Sequence, residues 1–343
     1  MRVFIFGAGA SRGSQPDQGI DQRVVAPLVN ELFEDRYKTY ADQVNLPASL
    51  MLQLKEELKD VGSLEGWLTQ RWVKIETLRE SRTKEAERAL FGRLSFYVWR
   101  LLLGVSSSYH ESSNAYHTFL NKIRSKDHPF GMISFNYDTL LDRAIKDSYH
   151  HTFDSLDDYL HFQYIKPHGS INWFLQKRAS DRSISVQEMS QNREFRYDIA
   201  SRLMFNGAPI SMENIQIIDP IHPDIHNPDL ISSSRFSRQY FYPLVFLPLT
   251  AKAYSAVDGF YNKIVNAGKE LLTGANEIYL IGYRADDDVT RYMFENVQAD
   301  TPLHVVALGG AERIYDSVFE WCHRLKRGQM INGGFQELIT TYK

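Results

Sequence analysis

Met1-Arg2-Val3-Phe4-Ile5-Phe6-Gly7-Ala8-Gly9-Ala10-Ser11 opens the chain. Val3–Phe6 is a short, continuous apolar run, the pattern of a strand covered on both faces. It feeds directly into Gly-x-Gly-x-Ser. Glycine lets a backbone turn tightly and approach a pyrophosphate with no Cβ in the way, and a helix starting there would aim N–H groups at the anion. Gly7, Ala8, Gly9, Ala10 and Ser11 are therefore candidate phosphate-binding residues. The dinucleotide fingerprint is incomplete: Arg12 occupies the usual place of its third glycine, Gly13 follows, and no acidic residue ends a second strand about twenty residues on. A tight turn without a ligand is the alternative reading.

Outward from this stretch, four more apolar runs read as buried strands: Gly131–Phe135, Phe162–Lys166, Glu277–Ile281 and Leu303–Leu308. Each is followed by Gly, Asn or Pro. Tyr242–Leu247 is a further candidate, against which Pro243 and Pro248 count. Between the first two strands, residues 28–126 read as helical. Met51, Leu54, Leu58 and Val61 fall at spacings of three and four, as do Leu90, Leu94, Tyr97 and Leu101. Residues 176–240 are rich in Ser, Asn, Asp, Arg and Pro and read as irregular, with room for a short hairpin. One helix is expected from Asp286–Asp288 through Val297, another over residues 311–327. The expected fold is α/β: a doubly wound, mostly parallel, Rossmann-like sheet built from residues 1–27 and 127–343, with residues 28–126 as an inserted helical module.

Composition sets outer limits. The 343 residues are 43% hydrophobic and 24% charged, ordinary globular values that exclude long disorder and fibrous classes. Lys plus Arg is 39 and Asp plus Glu 42, a net charge of −3, so no global basic field exists to hold a nucleic-acid backbone. Direct nucleic-acid binding is not expected. Cys322 is the single cysteine, which excludes an internal disulfide and any zinc site needing two thiolates. No targeting segment is read at the N-terminus. Tyr97–Val105 is broken by Arg100 and falls short of the roughly 18–20 residues of a membrane span, so a cytoplasmic protein without membrane attachment is expected.

Three further strand ends carry polar side chains. Ile133-Ser134-Phe135-Asn136-Tyr137-Asp138 ends a strand in two short polar groups that would face the crevice beyond the sheet's carboxyl edge. Capping of the next helix accounts for Asp138 but not for Asn136. Lys166-Pro167-His168-Gly169-Ser170 places a histidine, a candidate general base, beside a glycine. Tyr279-Leu280-Ile281-Gly282-Tyr283-Arg284 repeats strand, glycine and helix start. The three aspartates at 286–288 read as a helix cap and first-turn charges, with a divalent metal as the less favoured alternative. His222-Pro223-Asp224-Ile225-His226 has metal-like spacing, but Pro223 opposes the helix that would align both imidazoles, and no metal site is expected.

Taken together and in this order, Gly7-Ala8-Gly9-Ala10-Ser11, Asn136-Tyr137-Asp138, His168-Gly169-Ser170-Ile171-Asn172-Trp173 and Ile281-Gly282-Tyr283 resemble the sirtuin family, and within it the bacterial sirtuin-like NAD hydrolases of antiviral defence systems. The resemblance implies NAD lying across the strand ends, phosphates in the first glycine loop, Asn136 and His168 as the catalytic pair, and Asp138 at the nicotinamide end; the turn at Gly282 and Tyr283 is, by its own residues, a second place where backbone can meet a ribose or phosphate. It also implies self-assembly and, in some systems, a second protein such as a HerA-type ATPase or an Argonaute-like sensor.

Protein deacylases of that family carry two Cys-x-x-Cys pairs on zinc, which one cysteine cannot supply. Their Gly-Ile-Pro-Asp-Phe-Arg stretch is absent, and Phe135 stands where they have glutamine. The expected activity is therefore NAD+ glycohydrolysis, giving nicotinamide and ADP-ribose, or a cyclic product if the ribose attacks within the same molecule. NAD is expected as substrate, with no zinc. Arg12 and Arg23 are candidate pyrophosphate partners. The alternatives are an NAD or ADP-ribose sensor or assembly subunit without turnover and, less favoured, a deacylase or ADP-ribosyltransferase.

Overall fold

The run Val3–Phe6 forms a strand with every side chain enclosed, as its unbroken apolar character requires. The computed structural model describes residues 1–14, 25–59, 64–79, 82–108, 114–126, 128–178, 215–219, 232–233, 239–245 and 258–342. In chain order the described strands are β1 (Arg2–Phe6), β2 (Phe130–Ser134), β3 (Tyr164–Ile165), β4 (Gly169–Arg178), β5 (Ile215–Ile217), β6 (Ser232–Ser233), β7 (Gln239–Val245), β8 (Glu277–Ile281), β9 (Thr301–Val306) and β10 (Leu325–Ile331). The described α-helices are α1 (Ala8–Gly13), α2 (Lys38–Gln43), α3 (Ala48–Lys59), α4 (Leu64–Thr77), α5 (Arg82–Ser108), α6 (Ala115–Arg124), α7 (Leu140–Tyr149), α8 (Leu156–His161), α9 (Asp258–Thr273), α10 (Asp288–Phe294), α11 (Ala311–Trp321) and α12 (Gly334–Thr341). These elements fall into two compact units, one of residues 1–28, 104–169 and 260–343, the other of residues 29–103 and 170–259.

The first unit holds a six-stranded sheet in the order β10-β9-β8-β1-β2-β3. All its pairings are parallel. Read from β3, this is the strand order of dinucleotide-binding α/β folds, and the α/β, doubly wound, Rossmann-like class follows from it. Side chains alternate across the sheet. Phe4 and Phe6 point to one face, where Phe119 of α6 packs at 5.1 and 5.9 Å and Phe335 of α12 lies 6.0 Å from Phe6. Val3 pairs with Gly131, so both point to the other face. There α9 lies so close that a Cβ on Gly131 would meet Leu271 Cδ1 at 2.5 Å. Burying each of these aromatic rings contributes about 1.5–3 kcal/mol.

Three features of this unit differ from the sequence reading. The sheet's sixth strand is β10, within and beyond the helix expected over residues 311–327; that helix, α11, stops at Trp321. In β10 only Leu325 and Ile331 are buried, because an edge strand needs no continuous apolar run. The helix expected from 286–288 through Val297 is confined to α10. Finally, α6 belongs with the sheet and not with a separate helical module, because Tyr116 and Phe119 close over Phe6 and Phe4.

The second unit combines α2–α4 and most of α5 with a four-stranded sheet in the order β5-β4-β7-β6. The pairings β4·β5 and β6·β7 are antiparallel. Residues 176–240, expected to be irregular and part of the Rossmann-like domain, thus contribute strands here. Their segments 179–214, 220–231 and 234–238 lie outside the described residues. Despite Pro243, β7 is a strand, but of this second sheet. The stripe on α5 packs inward: Trp99 Nε1 donates to the Ile171 carbonyl at 3.0 Å, and Phe96 meets Tyr242 at 5.3 Å. Tyr97, Trp99 and Trp67 are buried. No helix among the described residues is long and apolar enough to cross a membrane.

Candidate active site

In the six-stranded sheet the chain order reverses between β1 and β8, and the residues after β1, β2, β3 and β8 share the carboxyl edge of the sheet. Crevices at such reversals are where open α/β sheets bind ligands. The turn after β1 presses directly on the turn after β8. Gly7 N donates to Ile281 O at 3.0 Å, Gly9 N to Gly282 O at 2.9 Å, and Ala10 N back to Gly7 O at 2.8 Å. A Cβ on Gly7 would meet Tyr283 Cβ at 2.6 Å, and one on Gly282, whose φ is +59°, would meet Ala10 N at 2.2 Å. The glycines are therefore required by backbone-on-backbone contact between the two turns. The N–H groups of Gly7, Gly9 and Ala10, expected to face a phosphate, are engaged within the protein. Gly282→Ala combines a left-handed φ with this clash and is expected to cost about 1–3 kcal/mol. Chemical denaturation measures it, and an unchanged midpoint would mean that the two turns part freely.

Asn136 braces the first turn from the side. Its Nδ2 donates to Gly7 O and to Ser11 Oγ, each at 2.9 Å. A carbonyl only accepts, so the amide nitrogen must face the loop, and Oδ1 is the end that can serve a substrate as acceptor. Ser11 turns inward. Its hydroxyl lies 3.1 Å from Tyr116 OH and helps to hold the Asp138 carboxyl in its ionised form. Asp138 Oδ1 accepts from Leu140 N at 3.1 Å, at the start of α7. Burial pushes the Asp138 carboxyl upward, and Asp142 adds to this, against the opposing pull of Lys166, Ser11 and the Leu140 amide.

Beneath Asp138 lies a fully buried network. Lys166 Nζ donates to Asp138 O at 2.7 Å and to Asp142 Oδ2 at 3.0 Å. The same carboxylate accepts from Tyr159 OH at 2.6 Å and Tyr164 OH at 2.9 Å. Burial first, and then Asp142, raise the Tyr164 phenol well above its ordinary range, so it remains a donor. Lys166 thereby ties the loop after β2 to the loop that carries His168.

His168 is 2% exposed and Asn136 6%. The imidazole packs against both neighbours of Asn136, with Phe135 at 4.8 Å and Tyr137 at 6.1 Å between ring centroids. Tyr283 stacks on Phe135 at 4.3 Å and 13°. Its hydroxyl donates to Asp287 Oδ2 and lies 2.7 Å from Thr290 Oγ1. Asp287 Oδ1 stands 3.9 Å from His168 Nε2, an ion-pair distance and longer than a hydrogen bond. Burial opposes ionisation of Asp287, but His168, the Tyr283 hydroxyl and the Thr290 amide outweigh it and hold the carboxyl well below the usual range.

No protein-family model matches the chain, and no curated protein matches it. Among solved structures it is similar to one described as the structural basis of sirtuin substrate affinity, at 12% identity and a TM-score of 0.40, covering 99% of this chain and 91% of that one. A second similar structure is Sir2 in complex with the inhibitor EX-527, 2′-O-acetyl-ADP-ribose and a deacetylated p53 peptide. It is 14% identical, with a TM-score of 0.36 and the same coverages. Likeness at this level says nothing of activity, and the fold assignment stands on the strand order itself.

Chemically, the edge of the sheet unit offers an acceptor amide oxygen, an imidazole with a carboxylate beside it, and a buried acid, all around stacked aromatic rings. Gly7–Ser11, Asn136, Asp138, His168, Gly282 and Tyr283 all belong to this one unit. Arg12, a candidate pyrophosphate partner, donates to Ala26 O at 3.1 Å. Arg23 and the His222–His226 motif lie outside the described residues. Among the described residues no group of three or more His, Cys, Asp or Glu side chains is placed to hold a metal ion. Sequence spacing gives no sign of the Lys166 contacts, and it points to a cap, first-turn charges or a divalent metal for the aspartates at 286–288. Asp287 does cap α10, accepting from Thr290 N at 2.9 Å.

Proposed function

We propose that the protein binds NAD+ at the carboxyl edge of the six-stranded sheet and hydrolyses its nicotinamide–ribose bond. The observation that carries this reading is the packing of His168 against both neighbours of Asn136, next to the meeting of the β1 and β8 turns. The C1′–N1 bond breaks with its electron pair leaving on the nicotinamide nitrogen, which loses its positive charge. A water oxygen bonds to C1′, and its proton passes to His168 and on to solvent. Asn136 Oδ1 accepts a hydrogen bond from that water or from a ribose hydroxyl.

Binding without turnover is the second reading. It is favoured by the engagement of the Asn136 amide hydrogens in the loop and by the near-complete burial of His168. A role as an abortive-infection effector that depletes NAD, as a homo-oligomer and with a second defence protein such as a HerA-type ATPase, is supported by the motif resemblance alone.

Incubation of NAD+ with the purified chain over a range of protein concentrations, followed by chromatography, tests the proposal. Equimolar nicotinamide and ADP-ribose are expected. Thermal stabilisation by NAD+ without nicotinamide release would establish the second reading. NAD loss only with an acyl-peptide present would redirect the assignment to deacylation.

A further inference from the structure

We infer that Asp287 is the positioning residue for His168: its carboxylate faces Nε2, holds the imidazole in the tautomer with its proton on that nitrogen, and leaves Nδ1 as the basic site. This rests on the proposed hydrolysis and names the group that makes His168 a base within it.

Helix capping does not account for what surrounds this carboxylate. A cap needs one oxygen on an early helix N–H, and Asn, Ser or Thr would serve. Oδ1 does accept from Thr290 N at 2.9 Å. Oδ2 in addition takes Thr290 Oγ1 at 2.9 Å and the Tyr283 hydroxyl. Donors so placed keep a buried carboxyl ionised, and Oδ1 is turned to His168 Nε2 at 3.9 Å. A fixed carboxylate on one imidazole nitrogen selects the tautomer and favours the protonated ring.

Several charged and titratable groups among the described residues face the pair. Tyr283, from the turn after β8, and Tyr261, from α9, face Asp287. Burial first, and then Asp287, raise the Tyr261 phenol, so it stays neutral. Tyr137 faces the imidazole as a ring. Lys166, two residues before His168, is directed to Asp142 and to the Asp138 carbonyl. Among the described residues, Asp287 is a carboxylate at ion-pair distance from His168.

Asp287→Asn tests the inference, because asparagine caps helices as well as aspartate and has the same shape. The variant is expected to lower kcat by roughly a hundredfold with little change in KM, and to move the acid limb of the pH–rate profile to lower pH, since His168 would hold its proton less tightly. In ¹⁵N-histidine spectra the wild-type resonance should report Nε2–H, and Asp287→Asn should move it toward Nδ1–H. A folded variant with an unmoved acid limb overturns the inference while leaving hydrolysis intact. A wild-type chain with no hydrolysis at any pH overturns the hydrolase reading, and the spectra still decide the pairing. Nδ1–H in the wild type overturns it even if the variant does not fold.

Discussion

Lys166→Met, which keeps most of the side-chain length, is expected to lower stability by about 3–5 kcal/mol at pH 7. Lys166 and Asp142 are fully buried and 3.0 Å apart, and removal of one partner leaves the other charge uncompensated in a dry interior. Two phenols would still donate to Asp142, but the Asp138 carbonyl would lose the ammonium that now reaches it at 2.7 Å. The pH dependence has a definite sign. Asp138, pushed up by burial and held down in part by Lys166, rises further in the variant, above the unfolded chain's aspartates at about 3.9. The variant's deficit is therefore full at neutral pH and shrinks as pH falls through that raised folded-state value. Asp142→Asn combined with Lys166→Met should recover most of the loss, since an apolar or neutral replacement of a whole buried pair is often tolerated. Denaturant melts at two pH values measure all of this. A deficit below about 1 kcal/mol at both would mean that water reaches the pair.

Strands whose signal is local were legible in the sequence. Val3–Phe6 and Ile278–Ile281 are unbroken apolar runs because both faces of β1 and β8 are covered. The run ending at Leu308 is likewise a strand, although β9 closes two residues earlier, at Val306. β10 was not legible: Lys326 and Arg327 are solvated on an edge, and the pattern runs on from the helix before it. The unit boundary failed for a similar reason, because only tertiary packing shows that Phe119 belongs over Phe4. At the site, the residue types at each strand end were visible, but their partners were not. Nothing near Ser11 in sequence says that its hydroxyl serves Asn136 and Tyr116, nor does the run 286–288 reveal that its middle member faces an imidazole distant in the chain.

Those partners separate the two side chains on which hydrolysis depends, and their alanine variants should behave differently. His168→Ala removes the proposed base and is expected to lower turnover by about 10²–10⁴-fold, the usual contribution of a placed general base. The ring packs against Phe135 and Tyr137, so the variant should bind NAD+ and retain most of its thermal stability. Asn136→Ala removes two donors at once and leaves the buried Gly7 carbonyl short of a partner, at a cost of about 1–3 kcal/mol. Since that carbonyl also accepts from Ala10 N, the loosened loop is the one that packs on Gly282. Asn136→Ala should therefore lose stability and turnover together, and weaken NAD+ binding, whereas His168→Ala loses turnover alone. Nicotinamide release, NAD+-dependent melting and denaturant midpoints, measured side by side, resolve the two patterns. If His168→Ala kept turnover within tenfold of wild type, the imidazole would not be the base and the binding-only reading of this edge would gain; if Asn136→Ala kept its midpoint, the brace on the glycine turn would be dispensable.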